Sequence, residues 1–317
     1  MKIIATGSYL PSNTLSNDDL SKFLDTSDEW IKSRTGISIR HIVKTENTSN
    51  LAINAVQNAI NNIEISLEKI DFVIVATSTP DSNLPTIAAK IVKYFNLSDV
   101  LAFDINMACT GFVGAMDIAQ SLIKSRGFEY GIIVASDVMS KIVDWNDRNT
   151  SILFGDGAGA VIIKNDSDTL LHVHNFTNPD FDNVLINEQL TIKNPLINKK
   201  SDSKLIMKGP EVYKFATSCV EKSITSGLIQ AGLSYNDVDF FVIHQANQRI
   251  MDTVAKRLNI QKEKFYSTIS STANTSAASI PIALDFMNKE GLLEKDMILV
   301  LTGFGAGLSY GTVILKW

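Results

Sequence analysis

A cysteine, a histidine and an asparagine are the residues of this chain whose types and settings suit acyl-transfer chemistry. Cys109 lies in DINMACTGFVG (104–114), where the apolar run LAFDINM gives way to the helical pattern FVGAMDIAQSLIKS. A thiol at a helix N-terminus feels unpaired N–H groups and the positive end of the helix dipole. Both favour thiolate, so the expectation is a pKa below the ordinary value of about 8.5. Gly111 permits close backbone approach, and the small neighbours Ala108 and Thr110 leave room for an acyl group. Residue type alone leaves a buried structural thiol equally open.

His244 follows the apolar run FFVI in FFVIHQANQR (240–249), and it alone among four histidines directly follows a long strand-like run. Asn274, in STANTSAASIPIALDFM (271–287), precedes a helical run of small residues. Taken singly, His244 is a satisfied buried imidazole and Asn274 a helix N-cap. Taken with Cys109, they supply a nucleophile, an imidazole and an amide donor. The glycine-rich TGFGAGLSYG (302–311) offers backbone N–H groups to complete an oxyanion hole with the N–H of Cys109. FGDGAGAVIIK (154–164) looks like a dinucleotide fingerprint, but a β-rich run follows its glycines where a helix is required. His172 and His174 alternate on one strand face without a third ligand at useful spacing, so no metal site is expected.

These residues need elements to hold them. FVIVATS (72–78), LAFDINM (101–107), GIIVASD (131–137) and GAVIIK (159–164) are continuous apolar runs. Helical patterns at 51–63, 86–96 and 112–125 separate them, which predicts an α/β fold with a parallel or mostly parallel sheet covered on both faces. The second half echoes the first. SLEKIDFVIV (66–75) aligns without a gap with SYNDVDFFVI (234–243), an offset of 234 − 66 = 168 residues. GIIVASD has a partner in MILVLTG (297–303) at nearly the same offset, which argues for a duplicated unit. The expected halves are 1–165, carrying the nucleophile, and 166–317, carrying His244 and Asn274, joined near NDSDT (165–169). Loops at equivalent strand ends then converge on one site. The polar stretch 175–205 reads as a surface excursion.

The 317 residues, 45% hydrophobic and 20% charged, are those of a folded chain, and a net charge of −5 without a dense basic run argues against nucleic acid as a partner. The N-terminus reaches Gly7 and Pro11 too early for a signal-peptide core. No apolar run approaches the roughly 18 residues of a spanning helix, so no membrane partner is expected. Cys109 and Cys219 stand far apart, which favours free thiols and a cytoplasmic location.

In its motifs the chain resembles the β-ketoacyl-[acyl carrier protein] synthases III of the thiolase superfamily. The markers are TGSYLP (6–11), DTSDEWIKSRTGI (25–37), ACTGF (108–112), DRNTSILFGDGAGA (147–160), HQANQRI (244–250), NTSAAS (274–279) and GFGAGLSYG (303–311), in that order. The resemblance implies a thiolase-like fold of two duplicated halves layered α-β-α-β-α. It implies a decarboxylating Claisen condensation of a short acyl-CoA with malonyl-[acyl carrier protein], initiating fatty acid synthesis without a cofactor. Cys109 would carry the acyl group, the N–H groups of Cys109 and Ala306 would hold the oxyanion, and His244 and Asn274 would stabilise the enolate. Trp30 and Arg148 would sandwich the adenine of CoA, with Thr26, Arg34, Gly209 and Asn247 along the pantetheine and phosphate path. Arg249 would dock the acidic carrier protein. The enzyme would be a homodimer in which Leu84, on the loop PDSNLPT (80–86), closes the partner's acyl pocket. Three departures from the family pattern bear on the acyl substrate: Ala306 stands where glycine is common, Leu84 where a bulky aromatic is frequent, and residues 175–205 lack the proline-glycine turn often found there. The rival readings are a specialised paralogue in secondary metabolism and a thioester hydrolase. No acidic residue beside HQAN or NTSAAS offers a water-activating base for the latter.

Overall fold

The computed structural model describes residues 1–187, 192–195, 197–199 and 204–317. Its nine longer strands fall into two sheets. In the first, the order is Leu101–Ile105, Ile70–Ala76, Tyr130–Val138, Asp156–Lys164, Lys2–Tyr9. In the second it is Phe240–Ile243, Ile298–Gly305, Ser309–Lys316, Leu170–Thr177. A parallel bridge from Phe241 to Phe265 flanks the second sheet where Leu101–Ile105 flanks the first.

Both sheets are mixed, which corrects the mostly parallel expectation. Ile70–Ala76 runs parallel to both its neighbours, but Asp156–Lys164 is antiparallel to Tyr130–Val138 and to Lys2–Tyr9. The second sheet repeats this: one parallel pair, then two antiparallel pairs. Connection length explains the difference. Only the short turn Ala306–Leu308 separates Gly305 from Ser309, and a turn that short returns the chain antiparallel.

Alternation along the strands builds five layers. Phe72, Ile74 and Ala76 of the first sheet meet Val242, Leu299 and Val313 of the second across the helices Gly111–Arg126 and Ser279–Lys289. Val73 and Val75 face outward onto the helices Thr48–Asn61 and Ile87–Tyr94. On the far side, Phe241, Ile243 and Val300 pack under Gly209–Ala231 and Gln248–Leu258. The starts of the central helices, Gly111–Met116 and Ser279–Leu284, are buried throughout because both sheets cover them. The α-β-α-β-α layering is therefore observed. Gly157 and Gly159 of GDGAGA lie inside a strand, where a Cβ on Gly159 would sit 2.7 Å from the backbone nitrogen of Ile282. That motif lets a central helix approach the sheet.

The polar stretch 175–205 is less peripheral than its composition suggests. Leu170–Thr177 is a sheet strand, and Leu185–Ile186 pairs with Ile206–Met207. Val184 and Leu205 are buried. Residues 188–191, 196 and 200–203 of this stretch lie outside the described residues. Among the described residues, no helix is long and apolar enough to cross a membrane.

Candidate active site

The two central helices start against each other, and this brings the three chemical residues together. Cys109 lies in the turn Ala108–Thr110 that leads into Gly111–Arg126. Asn274 precedes the turn Ser276–Ala278 that leads into Ser279–Lys289. His244 follows the last residue of Phe240–Ile243. All three are buried, and all three line one cleft of about 840 Å³.

Each side chain is held from behind. The Asn274 carboxamide oxygen accepts the Ser276 N–H at 2.9 Å, which leaves its NH₂ as the free donor. The Asn274 backbone is tied to the facing segment through Leu153 and Gly155. His244 Nδ1 lies 2.7 Å from the Ser279 hydroxyl, and that oxygen also accepts the Gln245 N–H at 3.2 Å. Phe304 meets the imidazole edge-on, with ring centres 5.0 Å apart. Gly305 lies against Cys109, where a Cβ would come within 2.8 Å of the Cys109 nitrogen. The Cys109 sulfur is 3.5 Å from the Ser276 hydroxyl.

Burial sets the charge states. It holds His244 down at about 3, so the ring is neutral, with the Ser276 backbone opposing the shift only weakly. It pushes the Cys109 thiol up to about 12, assisted by the nearby Asp137 carboxylate and opposed by the Ser276 hydroxyl. The expectation of a thiol below about 8.5 is thereby corrected, because desolvation outweighs what the helix start supplies. Cys109 rests as the thiol.

The cleft reaches from these buried groups to an exposed mouth. Trp30, Arg34, Gly209, Asn247 and Arg249 all line it. Trp30 sits in the helix Asp28–Thr35, capped by Ser27. Asn247 caps Gln248–Leu258 through Arg249 N, and its amide donates to the Arg34 carbonyl at 3.1 Å. Arg249 rests over the Tyr213 ring, 5.8 Å from its centre. Arg148 is outside the lining but stacks on Trp30 at 4.8 Å, anchored to the Asp25 carbonyl. At that separation no base fits between the two, so a stacked adenine has to displace the guanidinium. Thr26 and Ala306 are not among the lining residues. The Thr26 hydroxyl is buried without a hydrogen-bond partner, and Ala306 opens the turn just beyond the lining residue Gly305. Leu84 is not among the lining residues and is 84% exposed.

Several functional neighbours escaped the sequence reading. Leu185, within the stretch 175–205 that reads as a surface excursion, and Met207, two residues beyond it, form part of the cleft wall. Ser276 and Ser279 lay within the NTSAAS motif without an assigned task. The fold also sets Asp137 against the Ser276 hydroxyl, although no carboxylate adjoins HQAN or NTSAAS in sequence. Asp137 is fully buried and outside the cleft lining, so it does not face a water there. Cys219 is a buried free thiol, and His172 and His174 bond each other at 2.9 Å. Among the described residues, no group of three His, Cys, Asp or Glu side chains is placed to hold a metal.

Comparison with known proteins places this geometry among relatives. The family model described as 3-Oxoacyl-[acyl-carrier-protein (ACP)] synthase III matches residues 103–179, and its C-terminal counterpart matches 228–317. A Beta-ketoacyl-[acyl-carrier-protein] synthase III from Clostridium acetobutylicum is 42% identical over 323 residues, covering 100% of this chain and 98% of its own. One from Lactococcus lactis is 42% identical over 320 residues, covering 99% and 98%. The crystal structure of the Aquifex aeolicus 3-oxoacyl-[acyl-carrier-protein] synthase III superposes with a TM-score of 0.93 at 39% identity, covering 100% of this chain and 99% of that one.

Proposed function

Because this chain belongs to the 3-oxoacyl-[acyl-carrier-protein] synthase III family of condensing acyltransferases, we propose that it starts fatty acid synthesis through Cys109, His244 and Asn274. It joins a short acyl-CoA to malonyl-[acyl carrier protein] with loss of CO₂. The observation that carries this reading is the single cleft joining a buried thiol, imidazole and carboxamide to an exposed mouth with an indole and cations.

In the first stage, acyl-CoA enters with its nucleotide at Trp30 and Arg148 and its chain past Arg34, Gly209 and Asn247, with Thr26 at the edge of that path. The Cys109 sulfur attacks the thioester carbonyl, and the N–H groups of Cys109 and Ala306 receive the oxyanion. Free CoA leaves. In the second stage, Arg249 guides the acidic carrier protein to the mouth. With Ser279 donating its O–H to Nδ1, the neutral His244 ring carries its proton on Nε2. That N–H and the Asn274 NH₂ hold the thioester oxygen as CO₂ departs and enolate charge develops. Neutral donors suit this step because they strengthen as the charge appears, without the cost of a buried ion. The enolate carbon then attacks the acyl-cysteine. Decarboxylation supplies the carbon nucleophile, so no cofactor is needed.

The chain divides at 165/166 into a nucleophile half and a His/Asn half, supported by the matching strand order of the two sheets. A homodimer gives the exposed Leu84 its place, at the partner's acyl pocket. Two buried free thiols and a CoA substrate suit the cytoplasm.

The test separates the stages. His244→Ala and Asn274→Ala should retain acylation from acyl-CoA yet lose decarboxylation of malonyl-carrier protein by about 100-fold or more. Unchanged decarboxylation in either variant would refute its assigned role. Free acid without ketoacyl product would identify a hydrolase. Rejection of all short acyl-CoAs in favour of long or aryl ones would identify a specialised paralogue.

A further inference from the structure

Behind Cys109, on the side away from the cleft lining, lies a buried polar pair that the condensation scheme does not use. Ser276 is 1% exposed and its hydroxyl is the hydrogen-bond partner of the Cys109 sulfur, at 3.5 Å. Its backbone is fixed by the bond from Ser276 N to the Asn274 carboxamide, at a φ of 56°. Beyond it is Asp137, fully buried at the end of Tyr130–Val138. Three donors converge on one oxygen of that carboxylate: Thr77 Oγ1 at 3.1 Å, Ser78 N at 2.8 Å and Thr79 Oγ1 at 3.0 Å. The other oxygen, Oδ2, is buried without a partner in hydrogen-bonding geometry. The Ser276 hydroxyl acts on this carboxylate as a hydrogen-bonding group, which makes it the donor available to the unpaired oxygen.

We propose that Ser276 and Asp137 form a short proton path that takes the Cys109 proton as sulfur attacks the acyl thioester and returns it when the acyl group leaves. The inference rests on Cys109 being the acylated thiol. During acylation the Cys109 S–C bond forms and the CoA S–C bond breaks. The thiol proton moves to Ser276 Oγ while the Ser276 proton moves to Asp137 Oδ2, leaving a neutral carboxylic acid. CoA departs as a thiolate and takes a proton from solvent at the mouth. During condensation the new C–C bond forms, the acyl-cysteine C–S bond breaks, and Cys109 leaves as a thiolate. Asp137 then returns its proton through Ser276. One proton is consumed over the cycle, by CoA.

The charge states agree with this order. Cys109 rests protonated, and burial raises Asp137, which makes it a carboxyl able to store a proton. Asp137 is the charged group acting on Cys109, and His244, the other titratable group beside it in the cleft, is held neutral. Ser276 touches the reacting sulfur; Asp137 acts through it as a positioning residue and proton store.

The test is single-turnover acylation by acyl-CoA, followed by intact mass against pH, for the wild type, Ser276→Ala, Ser276→Gly and Asp137→Asn. Glycine suits the positive φ, and asparagine keeps an oxygen for Thr77, Ser78 and Thr79. The path predicts acylation about 100-fold slower near pH 7 in each variant, with decarboxylation of malonyl-carrier protein reduced far less. It also predicts that the variants gain about tenfold in rate per pH unit between about pH 6 and 9, as hydroxide forms the thiolate, while the wild type stays flat. Wild-type rates with a flat profile would overturn the proposal. So would a loss of the same factor at every pH, which marks a structural role. A wild type that is never acylated would instead overturn the functional reading beneath it.

Discussion

Asn106 and Asn274 stand 274 − 106 = 168 residues apart and make the same turn. Each carboxamide oxygen accepts the backbone N–H two residues on, Ala108 N at 3.1 Å and Ser276 N at 2.9 Å. Ala108 and Ser276 then adopt positive φ, 46° and 56°. One turn delivers Cys109 and its copy presents the Asn274 amide. The offset equals that of the SLEKIDFVIV repeat, so one duplicated device places both Cys109 and Asn274.

The two asparagines should therefore separate on mutation. Asn106→Ala should lower stability by about 1 kcal/mol, as for a lost cap, and slow acylation by loosening the Cys109 turn. Asn274→Ala should slow condensation by about 100-fold and acylation far less, the latter only through the loosened Ser276 turn. Denaturant titration with single-turnover assays of each stage checks this; equal effects on both stages would contradict it.

Gly305→Ala should damage acylation directly. The added Cβ meets the Cys109 nitrogen at 2.8 Å and its Cβ at 3.2 Å. Neither has a flexible end to move, so the Cys109 amide must shift. A stability cost of about 1–3 kcal/mol and at least a tenfold slower acylation are expected. A wild-type acylation rate would show that the Cys109 amide tolerates displacement.

Arg148→Ala should raise KM for acyl-CoA about tenfold, the scale of one lost stacking contact, with little change in kcat. A truncated acyl-pantetheine thioester, which lacks the adenine, should show no such difference. An equal rise in KM for both substrates would place Arg148 elsewhere on the path.

Stability should fall in mild acid. Burial holds His244 at about 3 and His174 at about 4, both below the unfolded value of about 6.5. Between about pH 6.5 and 4 the unfolded chain binds more protons than the native one, so stability rises with pH across that window. Each group adds at most about 1.4 kcal/mol per pH unit, and the half-buried His174 less because solvent screens it. Urea midpoints across this range should drop toward low pH, and His174→Asn should flatten the slope. Parallel slopes would contradict the assignment.

Much of this was legible in the chain because strand and repeat signals are local. The copies SLEKIDFVIV and SYNDVDFFVI each fold as a short 3₁₀ turn followed by a strand, Leu67–Lys69 before Ile70–Ala76 and Tyr235–Asp237 before Phe240–Ile243. His244 and Asn274 could be found because they sit at the ends of such elements. Strand direction was not legible: an apolar run reads the same either way, and Asp156–Lys164 turned out antiparallel to both neighbours. The thiol's protonation escaped too, since helix position is local but burial depends on both sheets. Leu185 was hidden by the polar composition of its stretch, and Asp137 reaches Ser276 across 139 positions (276 − 137).

Intact-protein mass spectrometry after incubation with a short acyl-CoA tests the central claim most directly. The account predicts a mass gain of one acyl group on the wild type, mapping to Cys109 on digestion, and none on Cys109→Ala. Undiminished labelling of Cys109→Ala, or an adduct mapping to Cys219, would contradict it.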